Sequence, residues 1–166
     1  MFDKLKLLPD KRRLPAVLFM VLIILTIAFI WSNSLQSSQE SLKRSDLVAE
    51  LIEPVILAIP VTKWHTPQMI SFITRKFGHF SEYFLLGMEL MVFKFLLKPA
   101  VKFKFWQLLV FAVLVAAADE SIQLTSGRGA MLQDVLLDGF GALMGLGLIT
   151  VIYSVRHHAF RKARYD

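Results

Sequence analysis

Four apolar runs separated by short charged segments set the pattern of this chain. Leu14 to Trp31 carries no charged residue. Its length approaches the roughly 20 residues that a helix needs to cross a bilayer. Phe77 to Leu97 is apolar apart from His79, Glu82, Glu89 and Lys94, and Pro99 stops it. Phe105 to Ala118 is the third run and leads into Asp119-Glu120-Ser121-Ile122-Gln123, still in helical register. A fourth helix starts near Leu132 and runs to about Val155, with Asp134 and Asp138 in its first turns. The pattern predicts one domain over residues 1–166, with transmembrane helices at about 14–31, 77–97, 105–123 and 132–155.

The longest stretch between runs is residues 32–76. Leu42, Leu47, Val48, Leu51 and Ile52 recur there at roughly helical spacing, which predicts an amphipathic helix on the membrane or against the bundle. Pro54 and Pro60 break it, and Pro67 opens a second short helix leading to Arg75. The expected fold is all-α: an integral membrane four-helix bundle with short amphipathic helices in its first extracytoplasmic connection. Gly127 and Gly129 mark the loop before the fourth helix. Gly141 and Gly145, at small-xxx-small spacing, permit close helix contact in its middle, where Gly147 also lies.

Composition agrees with this pattern. The 166 residues are 55% hydrophobic and only 19% charged, with a mean hydropathy of +0.56. The net charge of +6 comes from short basic blocks beside the apolar runs, not from a basic face with interleaved aromatics. Nucleic acid is therefore not an expected partner, whereas a lipid bilayer is. The absence of cysteine excludes disulfides, thiolate metal sites and cysteine nucleophiles.

Counting bases near the spans sets an expected orientation. There are five at the N-terminus (Lys4, Lys6, Lys11, Arg12, Arg13), three at Lys98–Lys104 and four in the tail. Only Arg128 lies between the third and fourth spans. The positive-inside rule then places both termini and the Lys98–Lys104 loop in the cytoplasm. The first connection has five bases, offset by Glu40, Asp46, Glu50 and Glu53.

This orientation sends the remaining polar groups to the opposite side. Ser32 to Ser38 end the first helix there, and Arg75, Lys76, His79 and Glu82 open the second. Asp119, Glu120 and Gln123 close the third, Arg128 follows in the loop, and Asp134 and Asp138 begin the fourth. His79 with Glu82, and Asp119 with Gln123, share helix faces by their spacing. A charged group facing lipid at the bilayer centre costs about 2.5–3.5 kcal/mol, so these groups are expected to face one another. Glu89, near mid-span, reads as a buried structural acid, and Ser32, Ser34, Ser37 and Ser38 as caps and loop residues.

In order and spacing these residues resemble the VanZ-like family of small bacterial membrane proteins, named for a teicoplanin-resistance accessory protein. The matching pieces begin with Lys76-x-x-His79-Phe80-x-Glu82-Tyr83-x-x-Leu86-Gly87, followed by Asp119-Glu120-x-x-Gln123 and Gly127-Arg128. They end with Asp134-Val135-x-x-Asp138-x-x-Gly141-x-x-x-Gly145. Thr125-Ser126 stands where a Val-Pro or similar pair often precedes the Gly-Arg. Asp138 stands where the family frequently has Asn, and the added charge implies that one of the paired acids is protonated or binds a cation. The resemblance implies the bacterial plasma membrane, a cell-envelope role and glycopeptide (teicoplanin) resistance; it supplies no reaction.

The candidates for catalysis are His79, Glu82, Asp119 and Glu120. His79 or Glu82 would serve as general base. The candidates for binding are Lys76, Tyr83, Gln123, Arg128, Asp134 and Asp138. Asp119, Glu120 and Asp134 offer oxygen ligands for a divalent cation, with Arg128 clamping phosphate or carboxylate. The ligand would be a lipid-linked cell-wall precursor or a glycopeptide. A non-catalytic binder and a small proton-linked transporter using Glu89 stay open beside an enzyme.

Overall fold

A computed structural model of the chain describes residues 8–37, 39–40, 43–44, 46–48, 50–51, 67–98, 100–125 and 132–162. Among these there are four long helices and no strand: α1 (Asp10–Ser34), α2 (Pro67–Leu97), α3 (Phe105–Thr125) and α4 (Leu132–Lys162). Helices α1 and α3, and Leu132–His158 of α4, are long and apolar enough to cross a membrane. Helix α2 is longer than either α1 or α3, but Glu82, Glu89 and Lys94 interrupt its apolar stretch. It tolerates them because it is central, packing against α1, α3 and, most extensively, α4.

The bundle is polar inside at one end and apolar outside. Leu18, Ile24, Leu25 and Phe29 of α1, Leu114 of α3 and Val151 of α4 are all exposed. Tyr83, Leu86, Ala116, Ala142 and Leu146 are fully buried. In lipid no hydrophobic force draws such helices together, so close packing must hold them. Helices α2 and α4 meet through glycines. A Cβ on Gly145 would lie 2.0 Å from the Phe84 carbonyl oxygen, and one on Gly87 would lie 2.3 Å from that of Ala142. One on Gly141 would approach the Phe80 oxygen to 2.6 Å. Gly147, grouped with the packing glycines by sequence, has nothing within 4 Å of such an atom.

Several boundaries differ from the sequence expectation. The short helix expected before Arg75 is not separate: Pro67–Leu97 is one helix, continuous through Gly78. A lone helical glycine costs only about 1 kcal/mol, and no proline follows Pro67 before the helix ends. Helix α1 begins at Asp10, where Pro9 supplies the N-cap position, and keeps Pro15 inside. The missing N–H of Pro15 leaves one carbonyl, that of exposed Lys11, without its helical donor. Helix α4 continues past Val155 to Lys162. The described residues between 39 and 51 are helical, with Leu47, Val48 and Leu51 exposed. The expected breaks at Pro54 and Pro60, residue Ser38, and the Gly127–Gly129 loop with Arg128 lie outside the described residues.

The basic ends of the helices come together. Arg12 Nη1 donates to the Lys98 carbonyl (2.8 Å), joining the start of α1 to the end of α2. Phe95 stacks on Tyr153 with ring centroids 4.0 Å apart, joining the end of α2 to the late part of α4. The helices therefore alternate up and down, with the polar residues gathered at the other end.

Candidate functional site

At that other end each helix contributes a polar group, and the contacts run from helix to helix. Asn33, in the last turn of α1, donates from Nδ2 to Glu82 Oε1 of α2 (2.9 Å). Its Oδ1 accepts a long bond from Gln36 Nε2 (3.5 Å). Glu82 Oε2 lies 4.0 Å from His79 Nδ1, one turn back on the same helix face. The same His79 nitrogen is 3.9 Å from Asp119 Oδ2 of α3. Gln123, one turn beyond Asp119, donates from Nε2 to Asp119 Oδ2 (3.1 Å) and to Ser34 Oγ of α1 (3.4 Å). Helix α4 closes the site from the far side: Asp134 pairs with Lys76, and Asp138 is buried one turn deeper.

Burial decides how these groups behave. Asp119 and Asp138 are 0% exposed, so neither carboxylate has bulk water to offset its desolvation. Glu120 and Gln123 are also buried, while His79 and Glu82 keep partial exposure. The site thus has a dry floor and a more open rim. Tyr83, one turn beyond His79, is fully buried, and its hydroxyl has no hydrogen-bond partner among the described residues. Lys76 also lies 5.4 Å from the centre of the Phe72 ring, and Arg75 lies 5.9 Å from it. Such contacts favour a cation that leaves the aqueous phase.

The set that converges is not the set expected to share a cation. Asp134 is engaged by Lys76. The ligand atoms that come within 4.8 Å of one another belong to His79, Asp119 and Asp138. Arg128, the expected anion clamp, lies outside the described residues.

Sequence reading missed Asn33 and misassigned Ser34. Ser37 Oγ does accept from the Glu40 amide (3.3 Å), and Ser32 Oγ donates to the Phe29 carbonyl (2.8 Å), as capping and helix-end serines do. Ser34, in contrast, is fully buried and accepts from Gln123. The one available signal was spacing: Ile23, Thr26, Ile30 and Ser34 fall on one face of α1, and all four are buried.

Glu89 belongs elsewhere. It lies two turns below Glu82, about 10 Å along the helix axis, and accepts from Thr26 Oγ1 of α1 through Oε1 (2.9 Å). An interhelical bond of this kind in lipid contributes on the order of 0.6 kcal/mol, rising to about 1–2 in model helices. Glu89→Gln retains an acceptor for Thr26, so thermal unfolding in detergent should shift little. Thr26→Val leaves a buried acceptor without its donor and should cost the larger share, about 1–2 kcal/mol. The reverse order would show that Glu89 does not act through this bond.

An α-helical bundle with an apolar exterior, three helices long and apolar enough to span and a buried polar end is the construction of a polytopic membrane protein. Residues 19–153 match the model of the family described as VanZ/LLP1. The match covers most of the chain, including every residue placed at this polar end: the chain belongs to the VanZ/LLP1 family. No curated protein and no solved structure matches it.

Proposed function

We propose that the polar end of the bundle is a ligand site at the extracytoplasmic face of a bacterial plasma membrane. There the chain would engage a lipid-linked cell-wall precursor or a glycopeptide, consistent with a role in glycopeptide resistance. The observation that carries this reading is the meeting of His79 and Glu82 from α2, Asp119 from α3 and Asp138 from α4 inside a membrane bundle. Ionisable groups at such a depth are costly and mark functional sites by default. The basic ends of the same helices lie at the opposite end of the bundle, which favours this end as the outer one.

Within this reading Glu82 is the base. Asn33 fixes one of its oxygens and the other faces His79, so it is placed to take a proton from a water held over the dry floor. The chain has no Gly-x-Ser-x-Gly motif, and a water nucleophile requires none. Capture without reaction is the second reading, favoured by Lys76–Asp134 and by the aromatic surface beside Lys76.

Purified protein in lipid nanodiscs, offered a labelled lipid-linked precursor or a labelled glycopeptide, separates the two. Turnover that Glu82→Gln abolishes while affinity persists establishes the reaction. Saturable capture without turnover, weakened in Gln123→Leu, establishes the binder. If neither ligand is captured by the parent protein, the reading fails.

Orientation has its own test, made simple by the absence of native cysteine. A cysteine at Ser37 should react with an impermeant maleimide on intact cells, and one at Lys102 only after permeabilisation. The opposite labelling pattern would turn the protein over and move the site to the cytoplasm.

A further inference from the structure

We propose that His79, Asp119 and Asp138 form a mononuclear site for a divalent transition-metal ion, with zinc as the occupant that fits best. One ligand atom from each residue lies within 4.8 Å of the other two. Zinc bonds of about 2.0–2.2 Å place tetrahedral ligands about 3.4 Å apart, so closure needs side-chain movements of about 1 Å and no helix shift. The three residues come from three different helices.

A second observation points into the same spot. Asp138 is 0% exposed, and neither of its carboxylate oxygens has a hydrogen-bond partner among the described residues. A buried carboxylate in that condition is expensive, and a bound cation removes the cost. Two carboxylates and a neutral imidazole balance a charge of +2. The imidazole decides the metal class: an all-oxygen set suits magnesium or calcium, whereas mixed nitrogen and oxygen suits zinc, manganese or ferrous iron.

The surroundings match a metal's outer shell. Gln123 holds Asp119 Oδ2, the kind of second contact that orients a ligating carboxylate. Lys76 engages Asp134 and so keeps this third carboxylate out of the set. Three protein ligands leave a coordination position for a water or an anionic oxygen. Its role rests on the ligand reading above: a phosphate or carboxylate oxygen of the envelope ligand would fill that position, or Glu82 would deprotonate a water there.

The test uses the full chain, without a histidine tag, in nanodiscs after dialysis against a chelator. Titration with zinc chloride, and with cobalt chloride read by its visible absorption, should give saturable binding at one ion per chain. Asp138→Asn and His79→Gln should lose more than the roughly 10- to 100-fold in affinity that an outer-shell contact carries. Ser121→Ala, on the exposed face of α3 with its hydroxyl bonded to the Ala117 carbonyl, should bind as the parent does. Absence of saturable zinc and cobalt binding in the parent protein overturns the proposal, whether or not the variants fold. So does undiminished binding in a folded Asp138→Asn protein, which would mean that a proton and not a metal settles that acid. Ligand capture measured on the same samples keeps the two ideas apart. Metal binding without capture removes the ligand reading, and capture by metal-free protein that binds no metal removes only the metal.

Discussion

Gly145→Ala should lower the thermal stability of the purified protein by about 1–3 kcal/mol or more, the range that overpacking a well-packed interior costs. The added methyl would sit 2.0 Å from the Phe84 carbonyl oxygen and 2.9 Å from the Met88 nitrogen. Both neighbours are backbone, so no side chain can turn aside, and α2 and α4 must separate. Separation is costly here for a reason particular to membranes. Lipid solvates apolar side chains as well as a neighbouring helix does, so the gain comes from close backbone approach and its many small contacts. Weak Cα–H···O contacts at such a crossing add about 0.5–1 kcal/mol each.

The same crossing holds α2 and α4 in the register that brings Lys76 to Asp134 and Asp138 towards His79. The damage should therefore reach the polar site even though Gly145 touches none of it. Gly87→Ala should behave in the same way, with 2.3 Å to the Ala142 oxygen. Gly147→Ala is the control: with nothing within 4 Å, it should be neutral or stabilise by up to about 1 kcal/mol through helix propensity. Thermal unfolding in one detergent measures all three. Equal effects at Gly145 and Gly147 would mean that the helices do not pack through these glycines.

The membrane architecture was legible from the chain because bilayer thickness fixes helix length and charge cannot be hidden in lipid. The gathering of polar groups at one end was legible for the same reason. What escaped depended on side-chain direction at helix ends. Ser34 and Ser37 look alike in the sequence, yet one is buried against Gln123 and the other accepts from a nearby backbone amide. Asp134 and Asp138 share a face of α4, so spacing alone made them equivalent. Their depth separates them, because Lys76 reaches only the outer acid. Continuity of α2 was hidden too, since Arg75 and Lys76 read as a polar boundary between a short helix and an apolar span.

Asp119→Asn should abolish the function of the site while leaving the fold largely intact. Asp119 is the residue on which the site's contacts turn: it accepts from Gln123 and lies 3.9 Å from His79. Through Gln123 it is tied to Ser34 at the end of α1. Asparagine has the same outline and keeps one acceptor oxygen, so the bond to Gln123 survives with at most an amide rotation. The structural cost should be that of a weakened hydrogen bond, about 0.5–1.5 kcal/mol. The lost charge has no substitute. Without it a cation beside His79 loses one of two neutralising carboxylates. If the site performs acid–base chemistry, turnover should fall by roughly 10²–10⁴-fold, the contribution of a positioned proton-transfer group. If it only captures a ligand, affinity should fall instead. Ser121→Ala is the matched control, two residues away on the exposed face with its hydroxyl bonded to the Ala117 carbonyl (2.8 Å). It should change neither turnover nor affinity. Nanodisc samples of both variants, assayed for ligand capture and thermal unfolding together, decide the matter. A folded Asp119→Asn protein that still handles its ligand as the parent does would leave the buried acids as packing elements only, because Asp119 is the fully buried acid that meets both His79 of α2 and Gln123 of its own helix.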